Sequence, residues 1–104
     1  MGDAVSPPKG VEWDPRKADS NARNHGVTFQ EAAVALTHQQ AYTKPTPQIK
    51  GGEVRELTFA PGADDRLLAV AHTRRGNNVR IISARRASRR ERSRYAEATG
   101  TPAR

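Results

Sequence analysis

A chain of 104 residues has room for one domain around a single modest core, so one site or one surface must carry its function. The absence of cysteine excludes disulfides, thiolate metal sites and a cysteine nucleophile, and three scattered histidines provide poorly for zinc; no cofactor is expected. The net charge of +7 is local: six arginines and one acid between Arg85 and Arg94 hold +5 of it, a patch suited to nucleic acid or to an acidic protein.

Hydrophobic residues make up 35% and mean hydropathy is -0.84, so the core is small and part of the chain stands outside it. Residues 1–10 and 99–104 are small, polar and proline-containing and read as flexible tails around a single domain of residues 11–98. The N-terminal stretch has no apolar signal-peptide region and no run is long enough for a membrane span, which points to a cytoplasmic protein without membrane contact.

Val11-Glu12-Trp13 alternates as a short strand does. Asp14-Pro15 then starts a helix, because Asp14 can cap and Pro15 suits the first helical position; Gly26 stops it after Asn24 or His25. Thr28 and Glu31 form a capping box for a second helix, whose Phe29, Ala32, Ala33 and Leu36 make one apolar stripe. The stretch from Thr37 to Gly52 reads mostly as loop, with one short extended piece at Ala41–Lys44.

Three strands are predicted next, at Val54–Ala60, Arg66–Thr73 and Asn78–Ala84, joined as hairpins through turn-forming residues. The unbroken apolar run Leu67–Ala71 marks the middle strand as central, covered on both faces. Ser88 and Glu91 open a final helix to about Ala98, with Tyr95 on its inner face. The fold class is therefore α+β: two N-terminal helices, a three-to-four-stranded antiparallel sheet and a C-terminal helix.

Three groups could carry chemistry. Lys17, Asn21 and His25 recur every four residues on the first helix and form one polar ridge, in which His25, with a pKa of about 6.5, is suited to proton transfer. Its position near a helix C-terminus also has a purely electrostatic explanation. Arg80 lies within the last strand, on the face of Ile82 and Ala84 by simple alternation, where it either binds an anion such as a scissile phosphate or points outward from an edge. Arg85 and Arg86 leave that strand where the final helix begins, so their guanidinium groups and the amides at Ser88 should converge on one anion site. His72, on the central strand, reads as a satisfied core histidine, and five aromatic residues are too few and too core-like for a base-stacking platform.

With these residues in view, the chain resembles the BrnT toxins. The likeness rests on two blocks, Val11-Glu12-Trp13-Asp14-Pro15 through Lys17 and Asn21 to His25–Ala32, and Arg80–Arg92, and spans about residues 11–98. It implies a RelE-like ribonuclease fold, cytoplasmic RNA cleavage that stops translation, and neutralisation by a BrnA antitoxin, through which alone DNA is contacted. The motif positions carried over are Lys17, Asn21, His25, Arg55, Arg80, Arg85, Arg86, Glu91 and Tyr95.

The expectation is a metal-independent endoribonuclease in which a base removes the 2'-hydroxyl proton and that oxygen attacks the adjacent phosphate. His25, Arg80 and Arg85 are the expected catalytic residues and Lys17, Asn21, Arg55 and Arg86 the substrate-binding ones, while Glu91 and Tyr95 position the last helix. Arg89, Arg90, Arg92 and Arg94 form the docking surface for RNA or antitoxin. The rival is a non-catalytic basic module that binds nucleic acid or an acidic protein; it explains the same charge but needs no titrating group beside it.

Overall fold

The computed structural model describes residues 6–50 and 53–103, which form β1 (Val11–Glu12), α1 (Pro15–His25), α2 (Phe29–Leu36), β2 (Tyr42–Lys50), β3 (Glu53–Pro61), β4 (Leu67–Arg75), β5 (Asn78–Arg86) and α3 (Arg89–Thr99). The strands make one sheet of order β1-β5-β4-β3-β2, antiparallel except that β1 runs parallel to β5. The α+β class and the central place of β4 match expectation. The sheet differs from it in being five-stranded and mixed: Val11 and Glu12 pair with Val79 and Arg80, and most of the expected loop is β2, paired with β3. Prolines at 45 and 47 hid β2 from a reading by residue type, but an edge strand tolerates residues that cannot donate to a ladder.

Each face of the sheet carries its own core. One holds Trp13, Val27, Phe29, Ala32, Ala33 and Ala35 against Ala60, Leu68, Val70, Ile81 and Ala84; the other holds Tyr95 of α3 with Phe59, Leu67, Ala69 and Ala87. Trp13 and Phe29 meet edge to face with centroids 5.7 Å apart. Gly26 ends α1 at φ 68°, the left-handed cap its position promised. The Thr28 cap forms only in part. Its hydroxyl accepts the Glu31 amide at 3.0 Å, but the Glu31 carboxylate reaches across to the Ala63 amide at 2.8 Å, tying α2 to the β3–β4 turn. The Ser88–Glu91 box is complete.

β1 pairs with β5 only at residues 79 and 80, and further along the outer edge of β5 a side chain takes the place of a strand. Asn21 of α1 donates from Nδ2 to the Ala84 carbonyl at 2.7 Å and to the Val27 carbonyl at 2.9 Å, while its Oδ1 accepts the Ala84 amide at 3.1 Å. The amide thus reproduces one peptide unit of a neighbouring strand and fixes α1 to the sheet.

Asn21 is buried, so truncation leaves polar backbone atoms without water to replace it. Asn21→Ala is expected to lower unfolding free energy by about 2–4 kcal/mol, the cost of two or more unsatisfied buried groups. Chemical denaturation reads this directly, and a loss below about 0.5 kcal/mol, the range of an ordinary surface substitution, contradicts the strand-surrogate role.

Candidate functional site

Residues paired across strands share a face, so the register sorts the polar side chains. On the side covered by α3 there are three successive rows: Tyr42, Phe59, Ala69 and Arg85; then Lys44, Leu57, Ala71 and Ser83; then Arg55, Thr73, Arg80 and Glu12. Arg80 enters this set through a bulge. Ala71 faces Ser83 but His72 faces Ile81, so Ile82 is an extra residue that reverses the alternation. The expectation that Arg80 lies on the face of Ile82 and Ala84 is therefore corrected: Ile81 and Ala84 both enter the helix-side core, and Arg80 joins Ser83 and Arg85 on the other side.

The third row lies two rungs beyond Ala69, where the packing of α3 ends. Arg80 Nη1 donates to Glu12 Oε2 at 2.8 Å, Asn78 Nδ2 to Glu12 Oε1 at 3.1 Å, and Arg75 Nη1 stands 3.9 Å from the same carboxylate. The hydrogen bond from Asn78, then that from Arg80, holds the Glu12 carboxyl below its ordinary value, and the charges of Arg80 and Arg75 add to this. In the same row, across Thr73 on β3, Arg55 has its Nε buried without a hydrogen-bond partner. Two arginines around one carboxylate, with the unmatched donor of Arg55 in the same row, leave this end of the sheet face electropositive. The chemistry available there is the binding of an anion beside an ionised carboxylate that can accept a proton. Glu12 escaped the reading of individual residues, although its alternation with buried Trp13 was visible.

The expected convergence of Arg85, Arg86 and the Ser88 amide on an external anion does not occur, because the protein's own carboxylates occupy those donors. Glu91 receives both Arg85 Nη1 and Nη2, at 2.7 and 2.9 Å, and the Ser88 amide at 2.8 Å. Arg86 pairs with Asp64 in the β3–β4 turn at 3.0 Å. The Arg85 fork, with the Ser88 bonds, pulls the Glu91 carboxyl down to about 2. Glu91 and Tyr95 position α3 as expected, Tyr95 by burying its ring and donating its hydroxyl to the Gln40 carbonyl at 2.8 Å.

The α1 ridge is also divided. Asn21 is committed to backbone partners, which gives it a structural task in place of the expected contact with substrate. Lys17 and exposed His25 line a shallow groove of about 180 Å³ with Ser20, Asn24 and Ile82, between α1 and the outer side of β5. Neither Arg80 nor Arg85 borders that groove, so His25 is not brought together with the other two expected catalytic residues. His72 is a satisfied core group, its Nε2 2.7 Å from Thr58 Oγ1 and its pKa lowered chiefly by burial. Of the arginines on α3, Arg92 Nη1 donates to the Ala87 carbonyl at 3.1 Å; Arg90 and Arg94 border a pocket of about 360 Å³ with Tyr42, Lys44, Phe59 and Tyr95. Tyr42 is 39% exposed there, so one aromatic ring does stand open to solvent.

Among the described residues no helix is long and apolar enough to cross a membrane. Comparison with known proteins finds a family match over residues 13–91, to the ribonuclease toxin BrnT of type II toxin-antitoxin systems. In the solved structures, the crystal structure of the Brucella abortus ribonuclease toxin BrnT is similar at 23% identity and a TM-score of 0.56, over 76% of this chain and 96% of that one; this likeness speaks to the fold alone. No curated protein matches the chain.

The Arg85–Glu91 pair makes a prediction about acid stability. The folded carboxyl titrates at about 2 against an ordinary 4.5, so its stabilisation is complete above about pH 5 and is lost as pH falls through 2. Arg85 is 42% exposed, and solvent screening limits the contribution to about 1 kcal/mol. Glu91→Gln should lose that amount at pH 7 and show a correspondingly flatter stability profile between pH 5 and 2, read from thermal melts.

Proposed function

The chain belongs to the BrnT family of ribonuclease toxins of type II toxin-antitoxin systems, and on that premise we propose that it is a metal-independent endoribonuclease that cleaves RNA by 2'-hydroxyl attack. In the cytoplasm this cleavage stops translation, and a BrnA-type antitoxin, the only component that contacts DNA, neutralises it. Support for metal independence comes from the donor set: no cysteine is present, and among the described residues no three potential metal ligands are grouped.

One observation carries the mechanistic reading: the sheet register aligns Arg55, Arg80 and Glu12 in a single row. Arginine offers five donors in a planar fork, and only Nη1 of Arg80 is engaged by Glu12, so a phosphodiester can bind the remaining edge. Arg55 adds the unmatched Nε. As the 2'-oxygen attacks phosphorus, negative charge grows on the non-bridging oxygens and these donors stabilise it. The hydroxyl proton passes to Glu12, which is ionised at neutral pH; the bond from phosphorus to the 5'-oxygen breaks, leaving a cyclic phosphate and, once that oxygen takes a proton, a 5'-hydroxyl end. Lys17 and His25 lie apart from that row, in the α1 groove, where they contact the RNA backbone outside the cleavage point, and Arg85 and Arg86, paired with Glu91 and Asp64, hold the junctions around the site.

Purified protein mixed with RNA in EDTA should produce cyclic phosphate ends; a requirement for added zinc or magnesium overturns the mechanism. Arg80→Ala is expected to reduce cleavage on the order of a hundredfold, typical of a lost oxyanion donor. Glu12→Gln should lower kcat and abolish the acidic limb of the pH–rate profile. If Glu12→Gln and Arg80→Ala lower melting temperature but leave kcat unchanged, the pair is only a clamp between β1 and β5. His25→Ala tests the other assignment, since a loss equal to that of Arg80→Ala places proton transfer in the α1 groove.

A further inference from the structure

The pocket between α3 and β2 carries no role in the cleavage step, yet its composition is specific. Arg90 and Arg94 stand four residues apart on one side of α3, and Lys44 faces them from β2 with Nζ 5.7 Å from the centre of the Phe59 ring. None of the three has an ion-pair partner among the described residues. Like charges at this helical spacing repel and cost helix stability, a tension that a bound polyanion relieves. The acid that borders the pocket, Glu91, is already neutralised by Arg85. Tyr42 adds an exposed aromatic ring beside the cations, and a volume of about 360 Å³ lies in the range of small-ligand sites.

Three unpaired cations next to an open ring match a nucleotide: phosphate for the cations, base for the ring. Resting on the ribonuclease reading, we infer that this pocket anchors one nucleotide of the single-stranded RNA substrate, its base against Tyr42 and its phosphate among Lys44, Arg90 and Arg94. The register supplies the distance. Tyr42 belongs to the first row and Arg80 to the third, about 13 Å apart along the strands, and β2 and β5 are three strands, about 14 Å, apart across the sheet, so the two positions are separated by about 20 Å. A single RNA strand covers that span in about six stacked nucleotides, which advance about 3.4 Å each, and in fewer when extended. The substrate therefore runs obliquely across the α3 side of the sheet, from the anchor at the β2 edge to the cleavage point at β5 and β1.

The probe is a short single-stranded RNA with every ribose 2'-O-methylated, which cannot be cut, so binding is read by fluorescence anisotropy whether or not the protein is a nuclease. Tyr42→Ala should weaken binding on the order of tenfold with an unchanged salt slope, and Tyr42→Phe should restore it, since stacking needs the ring and not the hydroxyl. The double variant Arg90→Gln, Arg94→Gln should weaken binding and lower the slope of log K against log salt by about 0.7 for each phosphate that is no longer neutralised. Arg16→Gln, an exposed arginine on α1 outside the pocket, is the reference. Unchanged affinity in Tyr42→Ala with an unaltered melting temperature overturns the inference, as does a double variant with no greater effect per charge than Arg16→Gln. Capture of polyglutamate but not RNA assigns the pocket to an acidic protein and also overturns it. Tight, Tyr42-dependent RNA binding without any cleavage of unmodified RNA leaves the anchor standing and refutes the ribonuclease reading alone.

Discussion

The side-chain amide of Asn21 does for β5 what a neighbouring strand would do. β1 is two residues long and covers only one end of the β5 edge, and the peptide at Ala84 must bond to something that brings both a donor and an acceptor. Asparagine is the smallest side chain with both in one plane. Because Asn21 lies on α1 and also holds the Val27 carbonyl, the same group fixes the helix, the turn after it and the sheet edge in one geometry. The groove with Lys17 and His25 exists because α1 is held there, and the helix-side core closes beneath it.

A second constraint acts through charge. The arginine run that dominates the sequence is not a uniform basic surface, because the fold places acidic groups against it selectively. Arg85 is matched by Glu91, Arg86 by Asp64, and Arg92 reaches a backbone carbonyl, so each secures a junction between elements. On the α3 side of the sheet, what remains electropositive is set by the cations without such partners among the described residues: Arg55 and the outer donors of Arg80 at one end, Lys44, Arg90 and Arg94 toward the other. A long anionic strand along that face meets both groups, whereas a compact anion meets one.

The sequence by itself determined most local structure. Capping residues at Asp14, Thr28 and Ser88, the glycine after His25 and the apolar run in β4 act over a few residues and need no distant partner. The family likeness was equally legible, since it lies in the order of two residue blocks. Tertiary structure alone decided what each functional side chain faces. Alternation counted along β5 puts Arg80 opposite Arg85, and only the pairing of β5 with β4 reveals that Ile82 is extra and that both arginines share a face. The partners of Arg80, Arg85 and Asn21 lie 68, 6 and 63 residues away or arrive through a helix start, and no local rule reports them. β2 escaped for the same reason: its prolines argue against a strand locally, and its place at a sheet edge, where one side of the backbone needs no partner, is a property of the assembled sheet.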